Sequence, residues 1–94
     1  MLWTLVQQDL SDVDSLYRLG VAYSELRHFS KASATLEQLV ELAPDHVHGL
    51  TALGVAEIGC GNLLIAEGWL QKALQIDPRN PWALRNLGAC LMKQ

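Results

Sequence analysis

The residues most able to do chemistry in this chain are its histidines and cysteines, and their spacing favours no reaction. His46 and His48 lie two apart at the start of a predicted helix, which makes a poor metal site without further ligands. Cys60 and Cys90 lack metal-ligand spacing, and no cation is evident near Cys60 to activate its thiol. No serine is spaced from a histidine as a nucleophile is from its base, and no glycine-rich phosphate loop follows a predicted strand. These patterns predict no catalysis, no cofactor and no metal.

Composition predicts one folded domain. Half of the 94 residues are hydrophobic and 18% are charged, which is enough to bury a modest core. The net charge of -3 and the scattered Lys and Arg residues provide no basic surface, so nucleic acid is not expected as a partner. Residues 1–10 lack the basic start of a signal peptide, and no apolar run is long enough to span a membrane. We therefore expect a cytoplasmic protein with reduced thiols and no membrane contact.

An internal repeat organises the elements that position these residues. Shifting the sequence by 34 positions superposes apolar, small and proline residues, and a third copy begins at Pro81. The matched residues are Val13 with Val47, Leu16 with Leu50, Leu19-Gly20-Val21-Ala22 with Leu53-Gly54-Val55-Ala56, Ala32 with Ala66, Leu36 with Leu70, and Pro44 with Pro78.

Each unit reads as two helices. Leu16, Leu19, Gly20 and Tyr23 recur at helical spacing in the first, as do Ala32, Leu36, Leu39 and Val40 in the second. Prolines end the second helices, and no stretch alternates with the period of a strand. The small residues Gly20 and Gly54 predict a close approach between the two helices of a unit. The predicted fold is therefore all-α.

The pattern Leu16-x-x-Leu19-Gly20-x-x-Tyr23, then Ala32-x-x-x-Leu36, then Pro44, resembles a tetratricopeptide repeat. The resemblance implies a right-handed α-solenoid of antiparallel helix-turn-helix repeats that covers residues 1–94 as a single domain. Its parts are a preceding helix end or N-terminal cap (1–12), repeat 1 (13–46), repeat 2 (47–80) and the first helix of repeat 3 (81–94). Two residues depart from the pattern: Leu39 stands where a small residue is usual, and Glu57 stands where the first unit has Tyr23.

Both ends of the chain fall in mid-repeat. Leu2, Leu5, Val6 and Asp9 occupy the register of Leu36, Leu39, Val40 and Ala43, and residues 81–94 have no second helix after them. Terminal units of a solenoid normally carry a polar outer face or a capping helix. Three interpretations stay open: a piece of a longer array, a chain that completes its end by self-association as a homo-oligomer, or a short protein with a frayed last helix.

In such a solenoid the first helices line a concave face, which is the usual binding surface. The resemblance thus implies a protein or peptide partner, bound by first-helix residues outside the core. The candidates are Tyr17, Arg18, Val21, His48, Thr51, Ala52, Val55, Ile58, Trp82, Arg85, Asn86 and Ala89, with Asp14, Ser24, Glu25 and Lys93 at the margins. A helix or extended strip with an apolar anchor and an acidic flank would suit this groove.

The same resemblance makes one kind of partner improbable. Family members that grip the C-terminal carboxylate of heat-shock chaperones use a set of Lys, Arg and Asn side chains. The matching positions here hold Tyr17, Val21, Ala52, Trp82 and Asn86. The leading interpretation is an adaptor or scaffold. The alternatives are a secretion or assembly chaperone that shields an apolar client segment, and a structural segment of a longer, self-associating array. Tyr17 and Trp82 are either binding anchors or covers for a neighbouring helix.

Overall fold

The computed structural model describes residues 12–94, which form five helices and no strand. These are α1 (Val13–Glu25), α2 (Phe29–Leu42), α3 (Val47–Cys60), α4 (Leu63–Ile76) and α5 (Pro81–Lys93). Each helix packs on the next, and α3 also contacts α1 and α5. Two hairpins, α1 with α2 and α3 with α4, therefore stack with α5 into an array 44 Å long. The all-α solenoid expected from the sequence is confirmed.

The first helices begin at residues spaced by the repeat length. The side chain of Asp12 accepts a hydrogen bond from the Asp14 backbone, and the Asn80 side chain accepts one from the Ala83 backbone. Between them, His46 caps α3 by accepting from the Gly49 backbone at 2.8 Å. Each cap satisfies a backbone N–H that the first turn of a helix leaves unpaired. Asp45, which precedes this cap, lies in the turn between α2 and α3.

Residues in the left-handed backbone conformation follow the first helices. Gly61 follows α3 with φ 85°, a conformation that glycine adopts without steric cost. Arg27 stands at the equivalent position after α1 with φ 63°, and its guanidinium lies 5.3 Å from the centroid of the Phe29 ring. The second helices end at Leu42 and Ile76, two residues before the prolines at 44 and 78.

The glycines bring the helices of each hairpin together, as expected. A Cβ built on Gly20 would lie 2.5 Å from Cγ of Leu36, and one built on Gly54 would lie 2.7 Å from Cγ of Leu70. Both leucines are fully buried. Their side chains therefore occupy the space that a larger residue would need.

The two departures from the repeat pattern are accommodated locally. Leu39 is fully buried, and its Cδ2 approaches to 2.5 Å from a Cβ built on Gly49, so a glycine on α3 makes room for the larger side chain. Glu57 is 5% exposed, and its Oε1 accepts a hydrogen bond from Asn62 Nδ2 at 3.2 Å. A polar contact thus replaces the aromatic packing of the first unit.

Trp69 packs against the main core cluster. It also lines a cavity together with Val40 and Pro44 of the first unit. Residues 1–11 of the predicted segment 1–12, with Trp3 among them, lie outside the described residues.

Candidate partner-binding groove

A cavity opens between the three first helices. Its volume is about 390 Å³, and its lining consists of Val21, Ser24, Glu25, Phe29, Ala52, Val55 and Trp82. Helices α1, α3 and α5 all contribute to it, because α3 contacts both of the others. The lining is apolar apart from two residues of α1. Cavities of this size and character hold a ligand side chain or a small apolar group.

Phe29 is the lining residue that the sequence did not indicate. It begins α2, a second helix, and its ring reaches the concave side by crossing close to Gly59 of α3. A Cβ at Gly59 would clash with this ring, so the glycine makes the placement feasible. The signal in the sequence was an aromatic residue at the first position after the turn, paired with a small residue on the next helix.

An aromatic row borders the cavity. The ring centroid of His48 lies 6.3 Å from that of Tyr17 and 6.1 Å from that of Trp82, so side chains from α1, α3 and α5 follow one another. His46 joins the row 5.7 Å from Tyr17. Burial raises the pKa of the Tyr17 phenol.

Four of the predicted contact residues lie in the cavity and two in the aromatic row. Val21, Ala52, Val55 and Trp82 line the cavity, although Ala52 is 3% exposed and forms its floor. Tyr17 and His48 form the row with Trp82.

The other predicted residues lie elsewhere. Thr51 is fully buried and donates its hydroxyl to the Val47 carbonyl, which removes it from the surface available to a partner. Arg18 is engaged in an exposed ion pair with Asp14 at 3.0 Å. Ile58 packs against the smaller core cluster with Ala66 and Leu70.

The predicted residues of α5 other than Trp82 do not line the cavity. Asn86 donates its amide to the Trp82 carbonyl at 2.8 Å, so this polar group is used within its own helix. Arg85 is exposed, and Ala89 is partly buried. The basic character of α5 therefore stays outside the cavity.

Glu25 is the charged residue of the cavity wall. It is exposed at the end of α1 and forms no ion pair with any residue in the range 12–94. Glu25 therefore places a negative charge at the cavity wall, which does not suit the acidic flank that the sequence suggested for a partner. A basic group beside an apolar anchor is the better complement.

Comparison with known proteins identifies the repeat. Residues 13–46, which contain α1 and α2, match the family model described as tetratricopeptide repeat. The fold is similar to that of the second tetratricopeptide-repeat domain of human RPAP3, solved in complex with the HSP70 peptide SGPTIEEVD. That match has a TM-score of 0.81 at 19% identity and covers 85% of this chain and 67% of that one. The chain contains a tetratricopeptide repeat at residues 13–46.

Several proteins of known description are similar to this chain in amino-acid sequence. The wheat (Triticum aestivum) Hsp70-Hsp90 organizing protein is 37% identical over 65% of this chain and 10% of its own length. The yeast (Saccharomyces cerevisiae) heat shock protein STI1 is 35% identical over 72% of this chain and 12% of its own length. A human FK506-binding protein-like protein is 36% identical over 66% of this chain. The chain spans less than a fifth of each of these three relatives.

Two kinds of feature are absent from the part of the chain that the structure describes. No helix within residues 12–94 is long and apolar enough to cross a bilayer. The same range contains no group of three or more His, Cys, Asp or Glu side chains placed to hold a metal ion.

Proposed function

We propose that this tetratricopeptide-repeat protein is an adaptor or scaffold that holds an apolar side chain of a partner peptide or helix in the cavity between α1, α3 and α5. The observation that carries the proposal is the cavity itself. Val21, Val55, Trp82 and Phe29 offer apolar surface to a ligand at the centre of the concave face. Removing such surface from water supplies the binding free energy, at roughly 25 cal/mol per Å² of apolar area.

The proposed anchor is not a terminal carboxylate. Three residues occupy positions that grip the carboxylate in other family members and also line the cavity: Val21, Ala52 and Trp82. The Asn86 amide is already hydrogen-bonded to its own helix. An anion would therefore lose its hydration without gaining a cationic partner, which disfavours its binding. Glu25 instead favours a Lys or Arg next to the anchor.

The size of the cavity favours an adaptor over a chaperone that shields a long client segment. A volume of about 390 Å³ is near the lower end of the range for ligand sites and fits one or two side chains. A chaperone role would need an apolar surface that extends along the whole concave face, whereas Asp14, Arg18 and Arg85 interrupt it with charge.

Selection of peptide ligands from a random displayed library, followed by calorimetry, tests the proposal. We expect selected peptides to share an apolar residue beside a basic one. Val55→Asp should weaken their binding at least about tenfold by placing a charge on the cavity wall. Ile76→Asp, an equivalent change at an exposed residue outside the cavity, should leave binding unchanged. Equal binding to both variants would move the site away from the cavity.

The nonapeptide SGPTIEEVD separates this mode from carboxylate recognition. We expect its free-acid and C-terminally amidated forms to bind this chain equally weakly, because the cavity presents no cation to the carboxylate. A tenfold or larger preference for the free acid, about 1.4 kcal/mol, would refute the assignment of an apolar anchor.

A further inference from the structure

The turn between α1 and α2 holds an arginine in a backbone conformation that suits glycine. Arg27 has φ 63°, and no other non-glycine residue in the range 12–94 has a positive φ. One repeat later the same position is Gly61, at φ 85°. In the left-handed conformation the Cβ of an L residue crowds the following carbonyl oxygen, and such strained residues concentrate at ligand-binding sites. A side chain at this position is therefore unfavourable for the backbone, and its contacts show what it stabilises.

The aromatic contact of Arg27 is with Phe29. Its guanidinium lies 5.3 Å from the ring centroid, a distance at which a planar cation is attracted to the face of an aromatic ring. Within residues 12–94 this guanidinium forms no ion pair. Because Arg27 is exposed and Phe29 is half-buried, the arginine lies between the ring and the solvent.

The same ring forms part of the cavity wall and lies against Gly59. Phe29 is among the residues that line the cavity, and a Cβ built on Gly59 would clash with its ring. Leu63, which stands one repeat later than Phe29, packs against the smaller core cluster and lines no part of this cavity. The second unit, with Gly61 in the turn and Leu63 after it, therefore lacks both the arginine and the ring.

The helix itself does not fix the orientation of this ring. Phe29 is the first residue of α2. Inside a helix the preceding turn excludes one of the three staggered χ1 rotamers, but the first residue has no preceding helical turn. The ring is therefore free to rotate out of the cavity unless a neighbour holds it. Gly59 leaves room for the ring, and Arg27 covers it.

The position of this ring decides how large an anchor the cavity accepts. Phe29 and Trp82 both contribute rings to the lining of a cavity of about 390 Å³. Forcing a larger group into a closely packed site is unfavourable. A Phe29 ring that rotated away would leave its volume to the ligand. Holding the ring in place therefore favours an aliphatic anchor over an aromatic one.

We propose that Arg27 is a positioning residue that holds the Phe29 ring in the cavity wall and so restricts the partner's anchor to an aliphatic side chain such as leucine. This inference deepens the proposed function and rests on it, because the anchor is the one held between α1, α3 and α5. The charge of Arg27 is not the reason for its presence. A cation two residues from Glu25 disfavours the basic residue expected beside the anchor.

Calorimetry with matched peptides and three variants tests the inference. The peptides are those selected on the unmodified chain, synthesised with either leucine or phenylalanine at the anchor. Arg27→Asn removes the guanidinium, and asparagine tolerates the left-handed conformation. Phe29→Leu supplies the residue that the second unit has at this position. Arg79→Asn, at an exposed arginine in the turn between α4 and α5, is the matched control.

We expect Arg27→Asn to weaken binding of the leucine peptide roughly two- to fivefold, the range of an exposed cation–π contact. The preference for leucine over phenylalanine should fall by at least that factor. Loss of a positive charge alone would strengthen binding of a basic peptide, so the weakening reports on the ring. Arg79→Asn should change neither affinity. In a chain that carries Phe29→Leu, Arg27→Asn should have no further effect on the preference.

Fluorine NMR follows the ring without any ligand. Phe29 is the sole phenylalanine of the chain, so fluorophenylalanine labels this position alone. We expect Arg27→Asn to move the fluorine resonance toward its position in the urea-unfolded chain, while the Tm is retained. A residue that merely stabilised the fold would lower the Tm and leave the ratio of the two peptide affinities unchanged.

Three results would overturn the inference: a fluorine resonance that Arg27→Asn leaves in place, an unchanged ratio of leucine to phenylalanine binding, and an equal effect of Arg27→Asn with and without the Phe29 ring. Failure of the proposed function is recognised separately. Peptides that bind the Val55→Asp variant as well as the unmodified chain would move the site away from the cavity. The restriction of the anchor would then fall with the site, and the fluorine resonance would still decide whether Arg27 holds the ring.

Discussion

Alanine substitution at the three equivalent glycines tests the packing of the hairpins against an internal reference. Gly20, Gly54 and Gly88 lie one repeat apart in the interiors of α1, α3 and α5. The added methyl group would lie 2.5 Å from Cγ of Leu36 in the first case. In the third it would enter open space. The chemical change is the same, and only the neighbour differs.

The expected magnitudes follow from two opposing effects. Replacing a glycine in a helix interior by alanine stabilises the helix by roughly 0.5–1 kcal/mol through the lower entropy of the unfolded backbone. Displacing a packed leucine costs about 1–3 kcal/mol. Gly88→Ala should therefore stabilise the fold, whereas Gly20→Ala and Gly54→Ala should destabilise it by up to about 2 kcal/mol. For a domain of this size, each kcal/mol corresponds to roughly 4–8 °C in Tm.

Urea unfolding followed by circular dichroism measures these differences. Gly68→Ala serves as the control, because Gly68 also lies in a helix interior with nothing within 4 Å of the added methyl group. The difference between Gly20→Ala and Gly88→Ala isolates the packing effect, since helix propensity cancels. If the two variants were equally stable, the close approach of α1 and α2 would have no energetic weight, and our account of the repeat would fail.

Three further predictions concern single residues. His46→Ala should lower the free energy of unfolding by about 1 kcal/mol, because the cap of α3 is lost. His46→Asn should restore most of this loss, since an asparagine, Asn80, caps α5 in the same way. Equal losses for the two variants in chemical denaturation would contradict the cap. Gly61→Ala should cost about 1–2 kcal/mol, because φ 85° strains any residue with a Cβ, and an unchanged Tm would exclude this strain. The raised pKa of Tyr17 predicts stability that is fully present below the ordinary pKa of about 10 and is lost as pH rises above it. Tyr17→Phe should remove the part of the alkaline loss of stability that comes from this phenol, which thermal scans at a series of pH values would measure.

The repeat could be predicted from the sequence because its signals are local. Leucine spacing near 3.6 residues, Gly61 after α3 and the prolines at 44 and 78 each act within one or two turns of a helix. The packing role of Gly20 and Gly54 was also accessible, since it recurs at the repeat length. Where a feature depends on the backbone angle of one residue, prediction was weaker: the cap of α3 is His46, which the sequence analysis considered only as a metal ligand.

The groove was harder to predict because α3 is enclosed from several sides. It packs against α2 and α4 and also touches α1 and α5. Its buried residues therefore extend around the helix, and the usual inference from one apolar stripe fails there. Thr51 is buried for this reason. Phe29 was missed because a second-helix residue reaches the concave side only through the gap at Gly59, a contact between separate units.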